Sequence, residues 1–161
     1  MQNFSLSPHF SLSEFTKSAT ARSHGIKNEP AAEHVENLRA LCVHTLEPLR
    51  EALGLPVVIT SGFRTRELNS LLAHSSDRSQ HMLGQAADFV IGKGSREELI
   101  RAFHQILIDP SIDFDQLILY PRFLHVSYVS KEKNRHGILQ AQGNGKLGYG
   151  RLALANALKL T

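Results

Sequence analysis

Residues 79–88 read Ser-Gln-His-Met-Leu-Gly-Gln-Ala-Ala-Asp, so His81 and Asp88 stand seven residues apart with Gly84 between them. On one continuous helix that spacing separates the two side chains by roughly 10 Å. On one continuous strand it separates them by more than about 20 Å. A shared metal ion would need its donors about 2.0–2.2 Å away. If the pair acts together, neither regular element can hold both residues and the chain must turn. Gly84 can take the backbone angles that a turn demands. The pattern S-x-H-x-x-G-x-A-x-D therefore predicts His81 on a loop, a turn at Gly84 and Asp88 inside a strand.

A further histidine lies in the run Phe123-Leu124-His125-Val126-Ser127-Tyr128-Val129. Alternation puts Phe123, His125, Ser127 and Val129 on one face of a strand. A histidine among apolar neighbours loses hydration and needs a partner, either a hydrogen-bonding group or a metal. Two histidines and one carboxylate make three protein ligands. Three ligands leave a fourth zinc position open, the arrangement of a catalytic site rather than a structural one. A metallohydrolase is the expectation. The chain has 9 histidines, and His9, His24, His34, His44, His74, His104 and His136 read as surface or helix-face residues. His74 ends a helical stretch just before the metal loop.

The 161 residues, 42% hydrophobic and 20% charged, suit one globular domain with its own core. No apolar run approaches the roughly 20 residues that span a bilayer, so no membrane insertion is expected. Residues 1–10 lack a basic n-region and an apolar h-region, so the expectation is cytoplasmic synthesis without a signal peptide. The single cysteine, Cys42, cannot form an internal disulfide and reads as a small buried residue. The net charge of +3 and pI of 9.2 are mildly basic. Without a Lys/Arg block or interleaved aromatics, nucleic acid is not expected as a partner.

The order of elements reads α+β. Ser11 and Glu14 have capping-box spacing. Asn28-Glu29-Pro30 opens a long helix to about Leu53, with Val35, Leu38, Leu41, Cys42, Thr45, Leu46 and Leu49 on its buried face. Pro48 should kink or shorten its end, and Gly54 should stop it. Strands follow at Pro56–Ser61 and Ala86–Ile91, with a helix from Arg66 to about His74 between them. Ser95 caps a helix to about Ile108. Phe114–Tyr120 and Phe123–Val129 read as a hairpin turning at Pro121-Arg122. Beyond Ser130 the signal weakens into a loop, a glycine-rich stretch with Gly143, Gly145, Gly148 and Gly150, and an apolar tail. The expectation is a small, mostly antiparallel sheet with flanking helices. Residues 1–55 form a helical part, 56–130 the metal-site core and 131–161 a C-terminal tail of one domain.

With these residues in view, the chain resembles the peptidase M15 family of zinc D-Ala-D-Ala carboxypeptidases and related peptidoglycan endopeptidases, including phage endolysins. The likeness runs from Phe10-Ser11-Leu12-Ser13-Glu14-Phe15 through Thr60-Ser61-Gly62-Phe63-Arg64 and the metal motif to Phe114-Asp115-Gln116-Leu117-Ile118 and His125-Val126-Ser127. The resemblance implies the hedgehog/DD-peptidase fold and zinc on His81, Asp88 and His125. It assigns Arg64 to the substrate or the transition state, a role suited to a guanidinium's paired donors. Ser79, which opens the motif, joins Arg64 as a candidate substrate contact.

One departure stands out. Family members carry a carboxylate a few residues before the third ligand as general base, whereas Leu119-Tyr120-Pro121-Arg122-Phe123-Leu124 holds no acid. Asp115 and Asp113 are the nearest, ten and twelve residues before His125. Asp115 is a candidate base and Tyr120 a candidate for orienting the oxyanion or water. Loss of a general base typically costs about 10²–10⁴ in rate.

The resemblance implies a peptidase of peptidoglycan stem peptides; a monomer is expected, which without a signal peptide would act at the cell wall after release or lysis, as in a prophage lysis cassette. The alternatives are a non-catalytic, metal-bearing wall-binding module that has lost its base, and a basic nucleic-acid binder that keeps only the fold.

Overall fold

The computed structural model describes residues 2–72, 75–141 and 149–161. Strands β1 (Ser5–Ser7) and β2 (Phe10–Ser11) form a small antiparallel pair. Helices α1 (Leu12–Thr16) and α2 (Ala19–Ser23) follow. The Ser11 capping box forms as the spacing predicts, with the Ser11 N–H donating to Glu14 Oε2 at 2.7 Å.

The long helix differs from its expected form. It begins as α3 (Ala32–Leu41), not at Asn28, widens into a π-helical segment at Cys42–Leu46, and resumes as α4 (Glu47–Leu53). Pro30 disfavours helical angles in the residue before it, which delays the start. Pro48 has no N–H to offer the carbonyl four residues back, that of His44. The structure meets that need from elsewhere: Asp113 N–H donates to His44 O at 3.1 Å. The Glu47 N–H reaches five residues back to Cys42 O. Gly54 ends α4 in the left-handed region, as expected, with φ 64°.

The remaining elements build a second sheet. They are β3 (Val57–Ser61), α5 (Arg66–Leu71), a 3₁₀ turn at Gln80–Leu83, β4 (Ala86–Ile91), α6 (Arg96–Ile108), β5 (Gln116–Leu119) and β6 (Leu124–Ser127). Then come β7 (Gly137–Ala141), β8 (Tyr149–Arg151) and α7 (Leu154–Ala157). The strand order is β3-β4-β6-β5-β7-β8. Among the described residues every pairing in this sheet is antiparallel except β5 with β7, which is parallel. The architecture is α+β with a small antiparallel sheet, a larger mixed sheet and flanking helices. Strand β7 was not expected from the sequence, which reads as loop and tail beyond Ser130. The expected end of α5 at His74 and the glycines Gly143, Gly145 and Gly148 lie outside the described residues.

Alternation divides the sheet into two faces. Phe89 and Ile91 of β4, Leu117 and Leu119 of β5, and Leu124 and Val126 of β6 are fully buried with Leu38, Leu41, Leu46 and Leu49 in one core. Helix α6 adds Leu99, Ala102, Phe103 and Ile106, spaced by three and four along one side. Asp88, His125 and Ser127 occupy the alternate positions and belong to the opposite face. No helix among the described residues is long and apolar enough to cross a membrane.

Candidate metal centre

Asp88 in β4 and His125 in β6 are direct cross-strand partners. Direct partners project side by side from one face, and His125 Nδ1 lies 2.8 Å from Asp88 Oδ1. The hairpin explains the register: Tyr120 N–H donates to Phe123 O at 3.0 Å, and His125 faces Ile118 across it. Asp115 is thus not the direct neighbour of His125, as its distance from the turn implies.

His81 arrives from the 3₁₀ turn. That turn ends at Gly84 with φ 68°, the left-handed conformation expected there. The close approach of α3 is a second reason for glycine. A Cβ at Gly84 would overlap the His34 carbonyl oxygen and lie 3.1 Å from its carbon. The Asn37 amide of α3 also donates to Leu83 O at 2.8 Å.

The His81 ring is fixed by a hydrogen bond of 2.7 Å between Nδ1 and Gly62 O. A carbonyl only accepts, so Nδ1 carries the proton and neutral His81 presents a lone pair at Nε2. That Nε2 lies 3.2 Å from Asp88 Oδ1. Burial pushes the His81 imidazole below its ordinary value, His125 and Arg64 act the same way, and Asp88 pulls against them. Burial alone would raise Asp88, but His81 and His125 outweigh it and hold its carboxyl well below the usual carboxylate range. A neutral nitrogen lone pair facing an ionised oxygen is repulsive unless a cation lies between them. The donor atoms of His81, Asp88 and His125 all fall within 4.8 Å of one another. This mixed nitrogen and oxygen set suits zinc, and the Gly62 carbonyl supplies the supporting bond that orients such a histidine.

Arg64 stands at the other oxygen of Asp88. Its Nη2 donates to Asp88 Oδ2 at 3.2 Å, and Nε and Nη2 both donate to Ser61 Oγ at 3.1 and 3.0 Å. The loop that carries Arg64 hangs on Asn28. The Asn28 amide donates to Thr16 O and Phe63 O and accepts from Thr65 N–H. The residue expected to open a helix is therefore a buried clasp.

Asp115 lies just before β5 with its side chain buried. It accepts from Arg135 through Nε at 2.9 Å and Nη2 at 2.6 Å, from Gln80 Nε2 at 3.0 Å and from Ser127 Oγ at 3.2 Å. Burial pushes its carboxyl up, but the Arg135 bonds win and hold it at about 2. Asp113 instead bonds Phe114 N–H and His136. Tyr120 stacks on Phe123, with ring centroids 4.3 Å apart. Ser79 caps the 3₁₀ turn by accepting from His81 N–H at 3.3 Å.

These groups share one cleft of about 870 Å³, lined by Arg64, Ser79, Asp115 and Tyr120 as well as by the three candidate ligands. Sequence reasoning missed four contributors: Ser61, the Gly62 carbonyl, Gln80 and Arg135. Gly62 had a signal in the S-G-F-R element: a Cβ there would lie 2.6 Å from Phe15 Cα. Arg135 had none, because its partner is twenty residues away.

An α+β fold that brings a metal-competent His-Asp-His set into one cleft has the arrangement of a metallohydrolase scaffold. A family model described as Peptidase M15 matches residues 8–127, three quarters of the chain. The chain belongs to the peptidase M15 family. That family carries peptidase function and is typically zinc-dependent, and the match contains Arg64 and all three candidate ligands. No curated protein matches the chain.

Proposed function

We propose that the protein is a zinc-dependent peptidase of peptidoglycan stem peptides, of the D-Ala-D-Ala carboxypeptidase or endopeptidase type. The observation that carries this reading is the convergence of His81 Nε2, Asp88 Oδ1 and His125 Nδ1 on one point of the cleft. Zinc held there supplies Lewis acidity, polarising a carbonyl and making water a competent nucleophile near neutral pH. Arg64 binds the peptide's terminal carboxylate or the developing oxyanion, and its ties to Ser61 and Asp88 fix its plane. Ser79 contacts the substrate from the rim.

Asp115 is the base candidate by position, since it is the one acid besides Asp88 that lines the cleft among the described residues. With its carboxyl held at about 2, it is a weak acceptor at neutral pH. Tyr120 is the candidate for orienting water or the oxyanion. The protein would act at the cell wall after release or lysis, as a monomer.

The test is hydrolysis of muropeptides by zinc-loaded protein with and without chelator. Cleavage that chelator abolishes, and that His81→Ala loses together with the zinc, is the expected result. Absence of cleavage under any metal loading refutes the enzyme. The ion pair that occupies Asp115 favours one second reading, a metal-bearing wall-binding module without turnover. Muropeptide binding that persists with no hydrolysis would select it.

A further inference from the structure

We propose that the far end of the cleft is a subsite for a substrate carboxylate, with Arg135 as its specificity-determining contact. This rests on the peptidase reading and names the chemistry of the substrate that the site selects. Arg64 and Asp88 cancel one another at the metal centre. Beyond them the cleft is lined by Arg78, Lys133 and Arg135, and the acid there is Asp115. Among the described residues that line this end, three cations face one carboxylate, an excess of two positive charges. Arg78 and Lys133 have no ion-pair partner among the described residues, and both are exposed.

Arg135 is more than the counter-ion of Asp115. Two of its nitrogens hold the buried carboxylate, while its side chain is 62% exposed, against 1% for that of Asp115. The carboxylate thus fixes the plane of a guanidinium that still faces solvent. Its Nε–Nη2 edge is taken by Asp115, and Nη2 also reaches Gln80 Oε1 at 3.4 Å, so Nη1 is the charged donor left to meet a substrate carboxylate.

The sheet order gives the placement. Arg64 follows β3 and Arg135 precedes β7, with the ligand strands β4 and β6 between them. Asp115 rests on Ser127, two residues along β6 from His125 on the same face, about 7 Å away. A peptide whose scissile bond lies at the metal and whose terminal carboxylate meets Arg64 therefore passes Arg135 on the opposite side. About two extended residues cover that distance. A cleft also concentrates the field of its charges, so the excess is felt by a bound side chain.

The experiment measures binding of paired D-Ala-D-Ala peptides to the zinc-loaded protein. The pairs carry glutamate or glutamine at each of the three residues preceding the D-Ala-D-Ala pair. The glutamate peptide is expected to bind about tenfold tighter at one of these positions. The preference should shrink at high salt and appear in KM rather than kcat. Arg135→Gln should bring the ratio of Kd values close to one. Lys133→Glu leaves the partner of Asp115 in place and should lower the ratio without lowering stability.

Equal binding of the two peptides by the wild-type protein overturns the subsite, as does a preference that survives both substitutions. If both peptides are cut with equal KM, the subsite alone fails. If zinc-loaded protein neither binds nor cuts either peptide, the peptidase reading fails and the subsite with it.

Discussion

Gly84→Ala and Gly54→Ala form a matched pair that separates backbone strain from crowding. Both glycines are left-handed, at φ 68° and 64°. An alanine in that region costs about 1 kcal/mol. Around Gly54 a Cβ meets nothing within 4 Å, so Gly54→Ala should cost that amount and no more. Around Gly84 the same atom overlaps His34 O and stands 3.1 and 3.2 Å from His34 C and Cα. These are backbone atoms of α3 and cannot rotate aside as a side chain would. Forced overpacking of this kind adds roughly 1–3 kcal/mol, for a total of about 2–4 kcal/mol. In a chain of this size 1 kcal/mol moves Tm by about 2–4 °C. Gly54→Ala should therefore lower Tm by about 3 °C and Gly84→Ala by about 6–12 °C. The second change should also cost zinc, because the displaced turn carries His81, whose carbonyl accepts from Gly84 N–H. Calorimetry and metal analysis on the purified pair provide the readout. Equal shifts in Tm, with a full zinc complement in Gly84→Ala, would refute the claim that α3 fixes the metal loop.

Asp115 should give the protein an acid limb. Its folded value of about 2 lies below the ordinary 3.8, so its stabilisation is present above about pH 4 and lost as the pH falls toward 2. It amounts to at most about 2 kcal/mol, trimmed by solvent around the exposed Arg135. Asp115→Asn should flatten acid unfolding between pH 4 and 2, and an unchanged acid limb would contradict this. Cys42 is fully buried, and burial raises its thiol. A thiol reagent should label it only at the unfolding rate; prompt labelling of the native protein would disprove its inertness. Asn28→Ala strands three backbone groups, at about 1–3 kcal/mol for each buried group left unpaired. It should lower zinc affinity too, through the loop that carries Gly62 O; wild-type affinity and Tm together would remove Asn28 from the site.

The nearness of His81, Asp88 and His125 was legible because its constraints are local. A seven-residue gap with a central glycine leaves few paths for the backbone, and alternation in β6 puts His125 on the site face. The Ser11 and Ser95 capping boxes were legible for the same reason. What escaped depends on contacts distant in sequence. The π segment at Cys42–Leu46 exists because Pro48 frees the His44 carbonyl and Asp113 is placed to bond it. Asn28 looks like a helix start until Phe63 and Thr65 fold back on it. Strand β7 is short, and its pairing with β5 is parallel, a partnership that local pattern does not announce.

That parallel seam sets a boundary that family likeness does not. The recognisable segment stops at Ser127, but β5 has neighbours on both sides, and one of them is Gly137–Ala141. A fragment ending at Ser127 would bare one edge of β5 and strip the buried carboxylate of its guanidinium. Open edges recruit other chains, and an uncompensated buried charge is strongly destabilising. The smallest portable unit of this protein therefore reaches at least to Ala141: the likeness marks where the chemistry is written, and the fold needs the strand beyond it.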